Sequence, residues 1–318
     1  IVNLIENGIS PYNILAITFT NKAAKEMKDR VVRLIGKEAY NIQISTFHSL
    51  GLKILKENYS MLGYEKNFTI IDSDDVLTII KKILKDKNMS KDRYNPREIK
   101  NKISSAKNEM MSIDSFAKVE FDHKVVEVYK EYQQKLKNGN SVDFDDLLIL
   151  PIKLFRNYPR VLEEYQDRYK YILIDEYQDT NKSQFTLVTM LASKHGNITA
   201  VGDNDQGIYS FRGADISNIL NFERDFPGTR IIKLEQNYRC TGNILKAANA
   251  VIKHNENKYD KKLWTENEEG HLPCIYCGED EYDEGRYIVE QINHLKTEEY
   301  YKNSDFTILY RMTLQCFF

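Results

Sequence analysis

The chain has 318 residues, 42% hydrophobic and 29% charged, enough for two or three domains around buried cores. Its formal net charge is −2, so any nucleic-acid binding must use local patches rather than bulk basic charge. No apolar run approaches the ~20 residues that span a bilayer, and Ile1-Val2-Asn3-Leu4 lacks the basic-then-apolar order of a signal peptide, so the expected location is cytoplasmic, with no membrane partner.

Val2, Ile5 and Ile9 fall on one helical face and read as the tail of a helix. Residues 14–19 form a short apolar run with the character of a strand buried on both faces. A helix follows, with Ala24, Met27, Val31 and Leu34 on one side; residues 42–46 read as a second strand and residues 50–61 as a helix. From about Asp72 to Arg160 the chain is lysine-rich and helical in period. Ile79, Ile80, Ile83 and Leu84 make one apolar face there, and Val125, Val128, Tyr129 and Tyr132 another, which predicts an all-helical insertion. Strands are expected again at 171–174, 198–201 and 231–234, with helices around 183–192 and 241–254. Polar residues 258–270 read as a linker, followed by a helix at 285–295 and a strand at 306–310. Cys316-Phe317-Phe318 closes on no further element, and both ends are expected to be cut points.

Alternating strands and helices predict an α/β fold, a parallel sheet with helices on both faces. Such sheets gather functional groups at the carboxyl ends of their strands. Those ends carry Thr18 and Thr20, Thr46 and His48, Asp175 and Glu176, Asp203, Asp205 and Gln206, and Gln236, Asn237 and Arg239.

Asp175 can hold Mg²⁺ directly or through water, and Glu176 can orient and deprotonate an attacking water. The plain alternative is a charged strand-to-helix turn. Gln206 can hydrogen-bond a terminal phosphate without adding charge, and the Arg239 guanidinium matches phosphate geometry; each could equally be ordinary surface. Phe19, His48, Tyr209, Phe211 and Tyr238 lie within a few residues of strand ends, where aromatics can stack bases or simply pack. Tyr238 could stack an adenine while Arg239 reaches the phosphates. Of the four cysteines, Cys274 and Cys277 form one C-x-x-C. A zinc site needs a second ligand pair, which Cys240 and Cys316 do not supply, and the alternation there reads as a strand.

These residues fall into longer strings. Thr18-Phe19-Thr20-Asn21-Lys22-Ala23-Ala24 resembles motif Ia of superfamily 1A DNA helicases of the UvrD/PcrA/Rep type, and Ser45-Thr46-Phe47-His48-Ser49 resembles their motif Ib. Asp175-Glu176-Tyr177-Gln178-Asp179-Thr180-Asn181 resembles motif II, residues 201–214 motif III, and Gln236-Asn237-Tyr238-Arg239 motif IV. Val142-Asp143-Phe144-Asp145-Asp146-Leu147 is similar to the family's pattern inside the insertion. The order and spacing agree over essentially the whole chain.

The resemblance implies two RecA-like motor domains: 1–68 as the first part of domain 1A, 69–162 as helical domain 1B, 163–257 as the second part of 1A, and 258–318 as linker and start of 2A. It implies ATP and Mg²⁺ between 1A and 2A, single-stranded DNA and single-strand/duplex junctions as substrate, 3′ to 5′ movement, and repair or replication proteins as partners. By position, Asp175 would bind Mg²⁺, Glu176 would be the catalytic base, Gln206 would sense the γ-phosphate, Arg239 would be an arginine finger and Tyr238 would stack on adenine. Phe19, Thr20, Asn21, Thr46, His48, Tyr209, Phe211 and Arg212 would serve the DNA side, with Phe211 stacking on a base and Arg212 coupling the two sites. Phe211 stands where the family commonly has Trp, Gly207 and Cys240 where it has Ser, and Asn204 where it has Pro.

No G-x-x-x-x-G-K-[ST] phosphate loop occurs in these residues, and the family's motifs V and VI are also absent. Negligible ATP turnover and no unwinding are therefore expected of the isolated chain. A two-metal nuclease using Asp175, Glu176, Asp203 and Asp205 would leave Gln206, Tyr238 and Arg239 unexplained. A non-hydrolysing single-stranded DNA-binding fragment would bind with affinity that falls as salt rises. A helicase–nuclease relative would need domains not present here.

Overall fold

The computed structural model describes residues 1–90, 93–255 and 261–310, and within these the side chain of Arg212 lies outside the described parts. The described chain forms two compact units that divide between Ile232 and Lys233, earlier than the 257/258 boundary expected from the sequence.

In the first unit, α1 (Val2–Glu6), β1 (Ile14–Thr18), α2 (Asn21–Ile35), β2 (Gln43–Thr46) and α3 (Phe47–Asn58) come first. The insertion holds β3 (Thr69–Ile70), α4 (Ser73–Asp86), α5 (Pro96–Asn108), α6 (Ile113–Val119), α7 (His123–Asn138) and β4 (Ser141–Val142). Then come α8 (Asp146–Asn157), α9 (Pro159–Arg168), β5 (Tyr171–Ile174), α10 (Lys182–Ala192), β6 (Ile198–Ala200), α11 (Ser217–Leu220) and α12 (Phe222–Asp225).

The main sheet is parallel, in the order β2-β1-β5-β6. Thr18 pairs with Thr46, Ile17 with Ile174, and Ile174 with Ala200, so the carboxyl ends of all four strands finish level. Alternation along the strands sends Ile14, Ile44, Tyr171 and Leu173 to a core shared with Val2 of α1 and Val31 of α2. It sends Leu15, Ile17, Ile172 and Ile174 to a larger core with Leu50 and Ile54 of α3, Ile152 of α8 and Leu187 of α10. Both faces are therefore covered, as the apolar strand sequences require. β2 runs straight into α3, because the Thr46 hydroxyl accepts the Ser49 N–H at 3.2 Å and caps the helix. That cap starts α3 at Phe47, ahead of the expected residue 50.

The insertion has its own apolar core, from Ile71 to Leu136, with Ile80, Ile83, Val128 and Tyr132 at its centre. α8 and α9 instead pack with the main sheet, so this core is narrower than the expected 69–162. The short parallel pair β3–β4, not expected from the sequence, closes the base of the insertion.

A buried ionic cluster ties α5 to α8. The Lys107 ammonium, 3% exposed, donates to Asp143 at 2.6 Å and to Asp146 at 2.8 Å. The Tyr132 hydroxyl donates to Asp143 at 2.8 Å, and the two aspartates accept each other's backbone N–H groups at 2.9 and 3.2 Å. Burial opposes the Lys107 charge, but Asp146 and Asp143 outweigh it and hold its pKa above the ordinary lysine range. The neighbouring Asp145 is pushed up to about 6 by burial and then by the Asp143 charge.

In the second unit, α13 (Gly242–Ile252) and α14 (Glu281–Glu298) are the described α-helices. α14 exceeds its expected span because the Asp280 carboxylate caps it, accepting the Asp283 N–H at 2.8 Å, and three acidic residues follow in its first turn. Residues 231–234, 274–277 and 306–310 form no strand, contrary to the sequence-based expectation. A strand needs a neighbour for its backbone groups; the described pairing there is one isolated parallel bridge, Gln236 to Trp264. Cys274 and Cys277 are exposed free thiols, and among the described residues no group of three or more His, Cys, Asp and Glu side chains is arranged to hold a metal ion. No described helix is long and apolar enough to cross a membrane.

The ionic cluster makes a direct prediction. Lys107→Met should strand two buried carboxylates and lower the unfolding free energy by ~3–5 kcal/mol, read from the urea-denaturation midpoint; a midpoint within error of wild type would show the cluster to be unimportant.

Candidate active site and nucleic-acid face

The sheet ladder continues past the ends of the named strands. The Asp175 N–H donates to Ile17 at 2.9 Å, the Val201 N–H to Ile174 at 2.8 Å, and the Tyr177 N–H to Val201 at 3.0 Å. Between two bonded neighbours, Glu176 takes a left-handed conformation, φ 53° and ψ 41°. Such a backbone costs a non-glycine residue roughly 1 kcal/mol or more and persists only where its surroundings fix it. Here the flanking ladder bonds fix it, and the Glu176 side chain is exposed while its neighbours Tyr177 and Gln178 are buried. Asp175 is half-buried; burial first, and then the Glu176 charge, raise its pKa. Its oxygens are the hard donors a Mg²⁺ ion takes, and that ion commonly uses only one or two carboxylates, with water and phosphate completing its shell. On the adjacent strand end the buried Thr18 hydroxyl has no hydrogen-bond partner. The donor set is compatible with Mg²⁺.

Gln178, which sequence reasoning did not single out, organises this edge. It is 1% exposed. Its Nε2 donates to Glu176 Oε2 at 2.7 Å, and its Oε1 accepts the Asp203 N–H at 3.0 Å. Because a backbone N–H can only donate, the Oε1 contact fixes which way the amide points. Asp203 in turn accepts from the Gln206 amide at 2.9 Å. Glu176 and Gln206 are thus joined through two intervening residues. Gly202 leaves room for this: a Cβ there would lie 2.6 Å from Gln178 Oε1 and 2.8 Å from Ile219 Cδ1.

The loop that carries Gln206 continues into an aromatic row. Tyr209 stacks on Phe19 at 5.5 Å between ring centres, and Phe211 lies 6.1 Å beyond Tyr209. Phe211 is 77% exposed. His48 packs against the exposed Phe144 ring at 4.6 Å; burial lowers its pKa to about 4, so it presents a neutral ring at pH 7. Thr20 and Thr46 act first as helix caps, accepting the Ala23 and Ser49 N–H groups at 3.1 and 3.2 Å. Thr46 is buried, whereas Thr20 and Asn21 are exposed. Arg212 closes a short 3-10 turn that runs Ser210–Arg212, and its side chain lies outside the described parts.

The far side of the loop is pinned to the acidic segment. Asn181 and Ala214 form an antiparallel bridge, and the Asp215 N–H and Asn218 side chain both donate to Thr180 O at 3.0 Å. Asn181 caps α10 in a reciprocal box with Gln184, a pattern visible as Asn-x-x-Gln in the sequence. It also donates to Asn108 of the insertion at 2.8 Å.

Tyr238 and Arg239 belong to the second unit. Asn237 Oδ1 accepts the N–H groups of Arg239 and Cys240 at 2.9 and 2.8 Å, a local turn that leaves Arg239 exposed. Tyr238 is 78% exposed, and its hydroxyl donates to Gln236 at 2.6 Å. The structure therefore joins Asp175, Glu176 and Gln206 at one sheet edge and groups Phe19, Tyr209 and Phe211 on the loop beside it, while Tyr238 and Arg239 are described within their own unit.

Residues 1–227 match the family model of the UvrD/REP helicase N-terminal domain, and residues 232–316 match that of the UvrD-like helicase C-terminal domain. The chain is 49% identical over 315 residues to an ATP-dependent DNA helicase PcrA of Bacillus subtilis, covering 98% of this chain and 43% of that protein. Similar proteins of the same name occur in Leuconostoc citreum, 46% identical over 99% of this chain, and in Staphylococcus aureus, 47% identical over 98%. The chain spans 43% of the length of each of these relatives.

The tight seat of Gly202 predicts that Gly202→Ala lowers the unfolding free energy by about 1–3 kcal/mol, the usual penalty of forcing a methyl into filled space. Chemical denaturation of the 318-residue chain measures it, and an unchanged midpoint would mean that the loop moves aside freely.

Proposed function

This chain belongs to the family of UvrD/REP helicases, and we propose that it is the part of an ATP-driven DNA motor that holds the catalytic acids and a stretch of the DNA track. The carrying observation is that one loop, residues 203–211, reaches Glu176 through Gln178 at one end and at the other builds an aromatic row that ends in the exposed Phe211. A motor needs such a connection, since hydrolysis without a link to the track does no work.

In this reading Asp175 would hold Mg²⁺, which when bound supplies charge neutralisation at the phosphates. Glu176 takes a proton from the attacking water; exposed and held by an amide rather than a cation, it is suited to accept one. Gln206 offers a neutral amide to the terminal phosphate. Arg239 supplies guanidinium charge to the transferring group and Tyr238 an adenine-stacking ring. Phe19, Tyr209 and Phe211 stack bases, His48 meets the strand as a neutral ring with the exposed Thr20 and Asn21 on the same side, Thr46 serves it by capping the helix that carries His48, and Arg212 is given to the DNA side by its motif position. Single-stranded DNA and its junctions with duplex are the substrate, and movement is 3′ to 5′. The setting is cytoplasmic, in repair or replication.

The absence of a phosphate loop from these 318 residues favours a narrower role for the chain by itself: it binds single strands without turning over ATP. Two experiments test the proposal. In the whole protein, Glu176→Gln should abolish ATP turnover while a fluorescent ATP analogue still binds; retained turnover would remove Glu176 from its role, and robust turnover by the isolated chain would refute the narrower one. In the isolated chain, Phe211→Ala should weaken binding to a dye-labelled oligo-dT about tenfold, the equivalent of one lost base stack; equal anisotropy curves for wild type and variant would take Phe211 off the track.

A further inference from the structure

Gln178 is a buried amide with both ends committed, one to the acid proposed to activate water and the other to the backbone of the loop that carries Gln206, Tyr209 and Phe211. Resting on the function proposed above, we infer that Gln178 is a positioning residue, which orients the Glu176 carboxylate and ties that orientation to the place of the aromatic loop.

The geometry supports this in three ways. First, no rotation of the amide keeps both contacts: turning it would aim its N–H₂ at the Asp203 N–H and its oxygen at the Glu176 carboxylate, donor against donor and acceptor against acceptor. The amide is therefore locked, and Glu176 Oε2 has a fixed donor at 2.7 Å. Second, the strand-end backbone is held independently, through the Asp175 and Tyr177 ladder bonds, so Gln178 is left to control the side chain of Glu176 rather than its main chain. Third, the Asp203 end belongs to the loop rather than to the sheet. Residues 204–206 form a single short 3-10 turn with no strand pairing, and Asp203 both caps it and accepts from Gln206. The loop also binds the acidic segment directly, since the Asp179 carboxylate accepts the Ile208 and Tyr209 N–H groups; a displacement when a base seats on Phe211 therefore reaches Gln178 from two sides, through Asp203 and through Asp179, to which Gln178 Nε2 donates at 3.5 Å.

This assigns to Gln178 an effect on the rate of the chemical step and none on nucleotide or DNA affinity. The test is made in the whole protein with single-stranded DNA at saturation. Gln178→Met keeps the volume and removes the contacts to Glu176 and Asp203 together with the longer one to Asp179 at 3.5 Å, and Gln178→Asn keeps the amide but shortens its reach so that it cannot span Glu176 and Asp203 together. Both should lower kcat by roughly 10–100-fold, with KM for ATP and Kd for DNA within about threefold of wild type. A kcat within twofold of wild type for either folded variant overturns the inference. So does a parallel loss of kcat, KM and DNA affinity, which marks a residue that merely supports the fold. Should Gln178→Met not fold, Gln178→Asn carries the test alone. Glu176→Gln, run alongside, separates the failures: if that variant keeps turning over, the function itself is wrong; if it is dead and the Gln178 variants are not, only the positioning role falls.

Discussion

The parallel register of β1, β2, β5 and β6 is the constraint on which the candidate site rests. Four strands with level carboxyl ends deliver Thr18, Thr46, Asp175 and the chain at Val201 to one edge. Parallel pairing forces each strand to return through a crossover, and the crossovers supply the helices that cover both faces. One crossover, between β2 and β5, has grown to hold the entire insertion. The insertion's own apolar core lets it fold against itself, and the Lys107 cluster fastens it back onto α8. Asn108, next in sequence, reaches Asn181 at the start of α10, so the insertion touches the segment that follows the acidic pair.

At that edge the chain uses polar contacts where it could have used apolar ones. Glu176 is left-handed and exposed, Gln178 is buried and fully bonded, and Thr180 receives two donors from the far end of the loop. A buried amide network is costly unless every member is satisfied, and when satisfied it selects one arrangement over its near alternatives. The site's shape thus follows from a few directional bonds laid over an apolar sheet. The aromatics nearby have a different character: they pack on one another in a row, and the last of them, Phe211, keeps most of its ring at the surface.

Much of this was legible in the residues. Ile172 and Ile174 alternate with Tyr171 and Leu173, and both sets are apolar, so a strand covered on both faces could be read directly. The acidic pair at its end and the aromatics after the next strand followed from position alone. Gln178 was not legible, because its meaning comes from a contact 25 residues away along the chain. Asn108 and Asn181 meet across 73 residues, and nothing local marks either as a partner of the other. Residues 231–234 and 306–310 have the composition of strands and form none among the described residues, since β character expresses a fit to a neighbouring strand more than a local preference. The similarity to the helicase family covers both units, and what it added to the pattern was an order of motifs that single residues could not supply.

The central claim is that one loop serves both the phosphate side and the DNA side. Its most direct test is the fluorescence of 2-aminopurine placed in an oligo-dT bound to the whole protein, read while a non-hydrolysable ATP analogue is added. A base stacked on the Phe211 row should change its quenching as the analogue saturates, with the midpoint of the change matching the analogue's own binding. A signal that stays flat through saturation, with DNA still bound, would contradict the account.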